Sequence, residues 1–184
     1  PSGPLIRIYK RTVDLVGASI GVIVFSPLLL AIAISIKLTS PGPVLYVSER
    51  VGYRGSLFRF YKFRSMRIGA DREPERREAI VRHIRDESVV ANKLVNRSLV
   101  TPVGRFLRKW ALDELPQLLN VLAGQMALVG PRPEDPSFLP YYSTEEWAVL
   151  SVRPGLTGPV QLNYRELADL HWRAGEDPTK VYLE

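Results

Sequence analysis

The chain has 184 residues, enough for one domain with a real core, and 46% of them are hydrophobic, a share that does not by itself assign a membrane or a soluble protein. Twenty-five Lys and Arg against 19 Asp and Glu give a net charge of +6, a balance suited to anionic partners such as phosphorylated metabolites, acidic lipid headgroups or nucleic acid. There is no cysteine, which excludes disulfides, thiolate metal sites and cysteine nucleophiles.

The first predicted element is a long apolar helix. No charge occurs from Leu15 to Ile36, a run of 22 residues, or about 33 Å of straight helix, close to one bilayer core. Ser26-Pro27 falls near its middle, where proline removes a backbone donor and crowds the preceding turn. The Ser26 hydroxyl can bond back to the carbonyl this frees. Basic residues flank both ends: Arg7, Lys10 and Arg11 before, Lys37, Arg50, Arg54, Arg59, Lys62 and Arg64 after. Positive-inside bias holds both flanks on the cytoplasmic side. A re-entrant helix broken at Ser26-Pro27 satisfies both features and is preferred to a kinked span or a buried soluble helix. Asp14, at helical spacing from Lys10 and Arg11, is expected to pair with one of them and fix the helix entrance.

Pro41-Gly42-Pro43 ends this helix, and an antiparallel hairpin follows, with strands at Val44–Val47 and Leu57–Phe63 and a turn at Gly52-Tyr53-Arg54-Gly55. Residues 71–95 are charge-rich and read as a solvated helix or helix pair. Pro102–Trp110 interleaves Phe106, Leu107 and Trp110 with Arg105, Arg108 and Lys109, the composition of a helix lying in a membrane interface. A short helix from Ser143 has Glu146 as its capping-box partner, and the stretch "RPGLTGPVQLNYRE" reads as a loop.

The chemistry is expected between Ala111 and Pro133, "ALDELPQLLNVLAGQMALVGPRP". Asp113 and Glu114 have a plain structural reading, in which Asp113 caps a helix starting near Glu114, with Pro116 in its first turn and Gly124 at its end. They also have a chemical one. Two adjacent carboxylates suit Mg²⁺ shared with phosphates, and an aspartate is a plausible nucleophile at phosphorus, since its anion needs no base. Arg132, on a Gly-Pro-Arg-Pro loop stiffened by two prolines, offers a guanidinium to a phosphate, or else a structural salt bridge. His83 and His171 lack metal-ligand spacing, and neither a P-loop nor a dinucleotide glycine fingerprint occurs. Nucleic-acid binding would use the basic surplus but leaves the apolar run and the acidic pair unexplained, so no nucleic-acid partner is expected.

An N-terminal "KR..D", the Ser-Pro membrane helix, "YKFRSM", "LDELPQLLNVLAGQMALVGPRP" and "VRPGLTG", in this order, resemble the bacterial sugar transferase family of monotopic polyprenyl-phosphate phosphoglycosyl transferases. The resemblance implies an α+β, mainly helical fold: a membrane-associated helix over residues 1–40 and a catalytic unit over 41–184, with a small hairpin and interfacial helices around an active site on the cytoplasmic face of the bacterial inner membrane. It implies transfer of a phosphosugar from a UDP-sugar donor to undecaprenyl phosphate, assisted by Mg²⁺ and releasing UMP. In that scheme Asp113 is the nucleophile of a covalent intermediate. Glu114 works beside it, and both carboxylates are the metal-side residues. Arg132, Lys62 and Arg64 bind phosphate, and Arg153, Gly155 and Thr157 lie on the substrate-side loop. Ser48 and Pro159 depart from the family pattern, which leaves as the alternative a catalytically silent membrane scaffold or lipid-binding module of the same fold. The family pattern also implies further segments beyond both ends of this chain.

Overall fold

A computed structural model of the chain describes residues 3–70, 99–143 and 147–158. The expected helices over 71–95 and the Glu146 capping partner lie outside these residues. Two units divide the chain: Pro1–Ser65 with Pro102–Gly158, and Met66–Thr101 with Pro159–Glu184. In the second, the described residues include a bridge between Met66 and Val100, with the Arg67 amide donating to Leu99 O. Everything below concerns the first unit.

Helix α1 runs from Pro4 to Thr39, 36 residues, or about 54 Å of helix. It is long and apolar enough to cross a membrane by length and composition. Pro27 lies inside it, and helix continues on both sides, so the break expected at Ser26-Pro27 takes the form of a proline within one continuous element. The chemistry at that point is local. Pro27 cannot donate to Ile23 O, four residues back, and the Ser26 hydroxyl donates to that same carbonyl at 2.8 Å instead. Around it Ile23 and Val24 are 71% and 62% exposed.

One stretch in each half of α1 is packed, around Asp14–Ala18 and around Ile32–Ile36. The first core cluster joins Ala18 to Phe58, Phe60, Leu118, Val121 and Met126, beneath the N-terminal half. The second joins Ile32 and Ile36 to Phe63 and Leu107, beneath the C-terminal half. Asp14, Gly17, Ala18 and Gly21 form one stripe at helical spacing, and the two glycines admit close approach by Leu128 and Leu118.

Strand β1 (Leu45–Val51) pairs antiparallel with β2 (Leu57–Phe63), from Leu45 opposite Phe63 to Val51 opposite Leu57. The turn between them carries Arg54 at φ 57° and Gly55 at φ 77°. Helix α2 (Pro102–Lys109) is the expected basic-aromatic helix, with Leu107 buried and Phe106 exposed. Gly104 is required there, because a Cβ would land on the Ser65 backbone. A 3-10 turn (Leu112–Glu114) leads into helix α3 (Gln117–Leu122). Then β3 (Ala127–Val129) pairs in parallel with β4 (Gly155–Thr157), so part of the stretch read as a loop is a strand.

Candidate active site

Ala111 occupies the left-handed region at φ 54°, a conformation that costs an alanine about 1–2 kcal/mol. It ends α2 and starts the tight turn of Leu112–Glu114, which presents two carboxylates in succession. The expected helix cap is therefore replaced. Asp113 caps nothing, and the helix begins four residues later at Gln117, preceded by Pro116.

Two cations converge on Glu114. Lys62 of β2 reaches Glu114 Oε1 at 2.8 Å, and Arg132 Nη2 donates to the same oxygen at 3.0 Å. Lys62 also lies over the Phe60 ring, 5.2 Å from its centroid. Burial pushes the Glu114 pKa upward, but the Lys62 and Arg132 charges outweigh it and hold the group at about 2. Asp113, buried beside it, moves the other way. Loss of hydration raises its pKa, with Lys62 opposing that rise and the Glu114 charge adding to it. Burial likewise lowers the Lys62 pKa, against the pull of Glu114. The arrangement holds one carboxylate, ionised at neutral pH, in a clamp of cations, next to a second, poorly solvated carboxylate whose anion is more basic than usual.

Each cation arrives from a small sheet. Lys62 is set by Asn120, fully buried in α3, whose Oδ1 accepts from Tyr61 N (3.2 Å) and whose Nδ2 donates to Arg59 O (2.6 Å). Asn120 thus takes the place of a neighbouring strand on the free edge of β2. Arg132 follows β3 in the Gly-Pro-Arg-Pro loop. There Gly130 N donates to Thr157 O and Gly155 N to Pro131 O, and a Cβ on Gly155 would land on the Gly130 amide. The far side of the loop is tied to β1, with Val51 N donating to Glu134 O and Arg50 bridging Asp135 at 3.1 Å.

Four of the expected residues therefore come together: Asp113, Glu114, Lys62 and Arg132. Gly155 and Thr157 buttress the Arg132 loop through their backbone. Arg153 points elsewhere, donating from Nε to Gly124 O and lining a cavity of about 250 Å³ with Tyr53, Ser56 and Gln125. Arg64 stands apart from this group. It is 6% exposed, and its guanidinium donates to Pro41 O, Ser40 O and Ser40 Oγ, closing the C-terminus of α1. Two cations two residues apart thus serve different ends, one facing a carboxylate and one sealing a helix.

Sequence reasoning missed Asn120 and Gln117, both buried in α3. The available signal was a polar residue within the apolar run "LLNVL". Gln117 Nε2 and Ser48 Oγ are buried without a hydrogen-bond partner among the described residues.

A sequence profile described as bacterial sugar transferase matches residues 5–181, nearly the whole chain. The chain belongs to the bacterial sugar transferase family. Among curated members, it is 40% identical over 162 residues to the exopolysaccharide production protein ExoY of Rhizobium meliloti, covering 88% of this chain and 72% of that one. It is 42% identical over 170 residues to the UDP-glucose:undecaprenyl-phosphate glucose-1-phosphate transferase of Caulobacter vibrioides, covering 88% and 58%. The Escherichia coli protein of the same name is 38% identical over 181 residues, covering 97% of this chain but 34% of its own length. Several bacterial sugar transferases are thus much longer than the region matched here.

Proposed function

We propose that this chain carries the catalytic unit of a polyprenyl-phosphate phosphoglycosyl transferase, moving a sugar phosphate from a UDP-sugar to undecaprenyl phosphate at the membrane surface. The observation that carries the reading is the convergence of Lys62 and Arg132 on Glu114 beside a buried Asp113. Relatives named as UDP-glucose:undecaprenyl-phosphate transferases supply the substrate classes.

In the first step an Asp113 carboxylate oxygen attacks the β-phosphorus of the donor. The bond from that phosphorus to the bridging oxygen breaks, and UMP leaves with the electron pair. In the second, an oxygen of the polyprenyl phosphate attacks the same phosphorus and displaces the Asp113 carboxylate. Desolvation suits Asp113 to this role, because a carboxylate with a raised pKa is the better nucleophile once ionised. Lys62 and Arg132 are placed to hold phosphate oxygens as charge redistributes, and Glu114 keeps both cations together until the substrate arrives.

The donor set fits a magnesium ion. Asp113 and Glu114 are adjacent hard oxygen ligands, and Mg²⁺ is commonly held by one or two carboxylates with substrate phosphates completing its shell. These two residues would hold it, and the ion would offset diphosphate charge when bound.

The membrane arrangement belongs to the same proposal. Near its start α1 is tied to the catalytic unit by Arg11, which donates to Val121 O and Leu122 O, and at its end by Arg64. Between these ties the apolar residues around Pro27, among them Ile23, Val24 and Leu30, are exposed, as are Leu5, Ile6, Ile8 and Tyr9 before Arg11. A helix tied to one unit at Arg11 and again just past its C-terminus, with a bare stretch between, is suited to dip into one leaflet and return, with the active site at the cytoplasmic face and α2 in the interface. As the chain has no native cysteine, single cysteines at Leu5 and Leu38 report this directly. Both are expected to react with a membrane-impermeant maleimide from the cytoplasmic side; labelling from opposite sides would establish a span instead. For the reaction, donor-dependent UMP release by wild type and its loss in Asp113→Asn is the expected result; release by both proteins would contradict it.

A further inference from the structure

We propose that Asp14, on the membrane helix, is a positioning residue for Arg132; the inference rests on the phosphoglycosyl transferase reading above. Asp14 is 5% exposed, an unusual place for a carboxylate in an apolar helix. Its Oδ1 accepts from Leu128 N at 2.9 Å, and Lys10 lies 3.5 Å from its Oδ2. Lys10 Nζ in turn donates to Val129 O at 3.1 Å.

The backbone of β3 explains why this matters. Ala127 N donates towards β4, to Pro154 O, and the alternation of a strand turns the next amide to the opposite edge. That amide is Leu128 N, and no strand lies there among the described residues. Asp14 supplies the acceptor a strand would have offered, as a charged group, which makes the bond stronger than a neutral one. Four residues after Leu128 comes Arg132, whose guanidinium must find one oxygen of Glu114. The Arg132 loop is anchored to β4 on one side and to the α1 pair Lys10–Asp14 on the other. A membrane-embedded element thereby sets where a phosphate-binding cation rests, and a small displacement of such a group has a large kinetic effect.

The test measures adduct formation and UMP release with full-chain protein in lipid nanodiscs, using UDP-glucose and other UDP-sugars with Mg²⁺. A double-mutant cycle combines Asp14→Ala with Arg132→Gln, and Asp14→Asn and Lys10→Met are added as milder changes. Asp14→Ala is expected to slow the first step by about 10- to 100-fold. Asp14→Asn restores most of that loss, since its amide oxygen still accepts from Leu128 N. On the Arg132→Gln background Asp14→Ala costs less than about twofold, because the residue it positions is already gone. Lys10→Met gives a smaller loss that Arg132→Gln also absorbs. Equal factors on both backgrounds would overturn the inference and leave a merely structural carboxylate, as would an Asp14→Ala protein as fast as wild type. If Asp14→Ala does not fold, the Lys10→Met and Asp14→Asn cycles decide by the same criterion. Wild-type protein inactive with every donor would instead overturn the proposed function.

Discussion

The hairpin β1–β2 and the parallel pair β3–β4 do the same job by different means. Each is two strands wide, too small to be stable alone, and each delivers one cation to Glu114. The hairpin has its free edge closed by Asn120, a neutral side chain of the adjoining helix. The parallel pair has its edge closed by Asp14, a charged side chain 114 residues away in the sequence. The first arrangement is neutral and fully buried; the second depends on a charged contact from α1, and its cation, Arg132, remains 48% exposed. The hairpin half of the site is therefore expected to be rigid and to govern stability, and the parallel-pair half to be adjustable and to govern substrate binding.

The largest effect that breaks the comparison removes what the halves share. Glu114→Gln leaves Lys62 and Arg132 without their common counter-charge. Turnover is expected to fall about a hundredfold or more, and stability by about 2 kcal/mol, less than the 3–5 typical of a broken buried pair because Lys62 and Glu114 each keep 20% exposure. Matched kinetics and denaturant unfolding of purified protein check both numbers. Asn120→Ala is next in severity for the fold. It orphans Tyr61 N and Arg59 O together and is expected to cost about 2–4 kcal/mol, read as a lower unfolding midpoint.

Arg132→Gln sharpens the contrast from the other side. Its stability cost is expected to stay below about 1 kcal/mol, as for other exposed pairs, while KM for the donor rises about tenfold or more. A cost equal to that of Asn120→Ala would mean that the two halves are equivalent. The smallest effect is in the pH dependence. Glu114 falls from an ordinary 4.5 to about 2 in the folded protein, so its contribution is fully present above pH 4.5 and is lost as the pH drops towards about 2. Asp113, raised by burial, has the opposite sign: its ionised form opposes folding, and protonation relieves that on acidification. Acid unfolding of Arg132→Gln is accordingly expected to be shallower over that window than wild type, and Asp113→Asn to be steeper.

How much of this was legible in the sequence follows the same division. The return strand Leu57–Phe63 coincides with its expected range, because alternation and a glycine-bounded turn are local signals. The first strand extends to Val51, further than expected, since Ser48, Glu49 and Arg50 pair through their backbones despite polar side chains. β3 and β4 have three residues each, too few for periodicity, and a parallel partner 28 positions away leaves no local trace. Asp113 and Glu114 stood out as a pair, but their geometry depends on Ala111 at positive φ, which no propensity suggests for alanine. Lys62 and Arg64 were indistinguishable as cations in "YKFRSM"; only the packing of Ser40 and Pro41 against Arg64 separates them. The apolar helix itself was plain from composition, and its inward stripe was marked by one acidic residue, Asp14.

The central claim, that Asp113 forms the covalent bond, is tested most directly by intact-protein mass after incubation with Mg²⁺ and a panel of UDP-sugars in the absence of polyprenyl phosphate, with UMP followed in parallel. Wild type is expected to gain one sugar-phosphate mass with one UMP released per adduct, and Asp113→Asn to gain none. Transfer to undecaprenyl phosphate by wild type with no adduct at any time, or an adduct that survives Asp113→Asn, would contradict it.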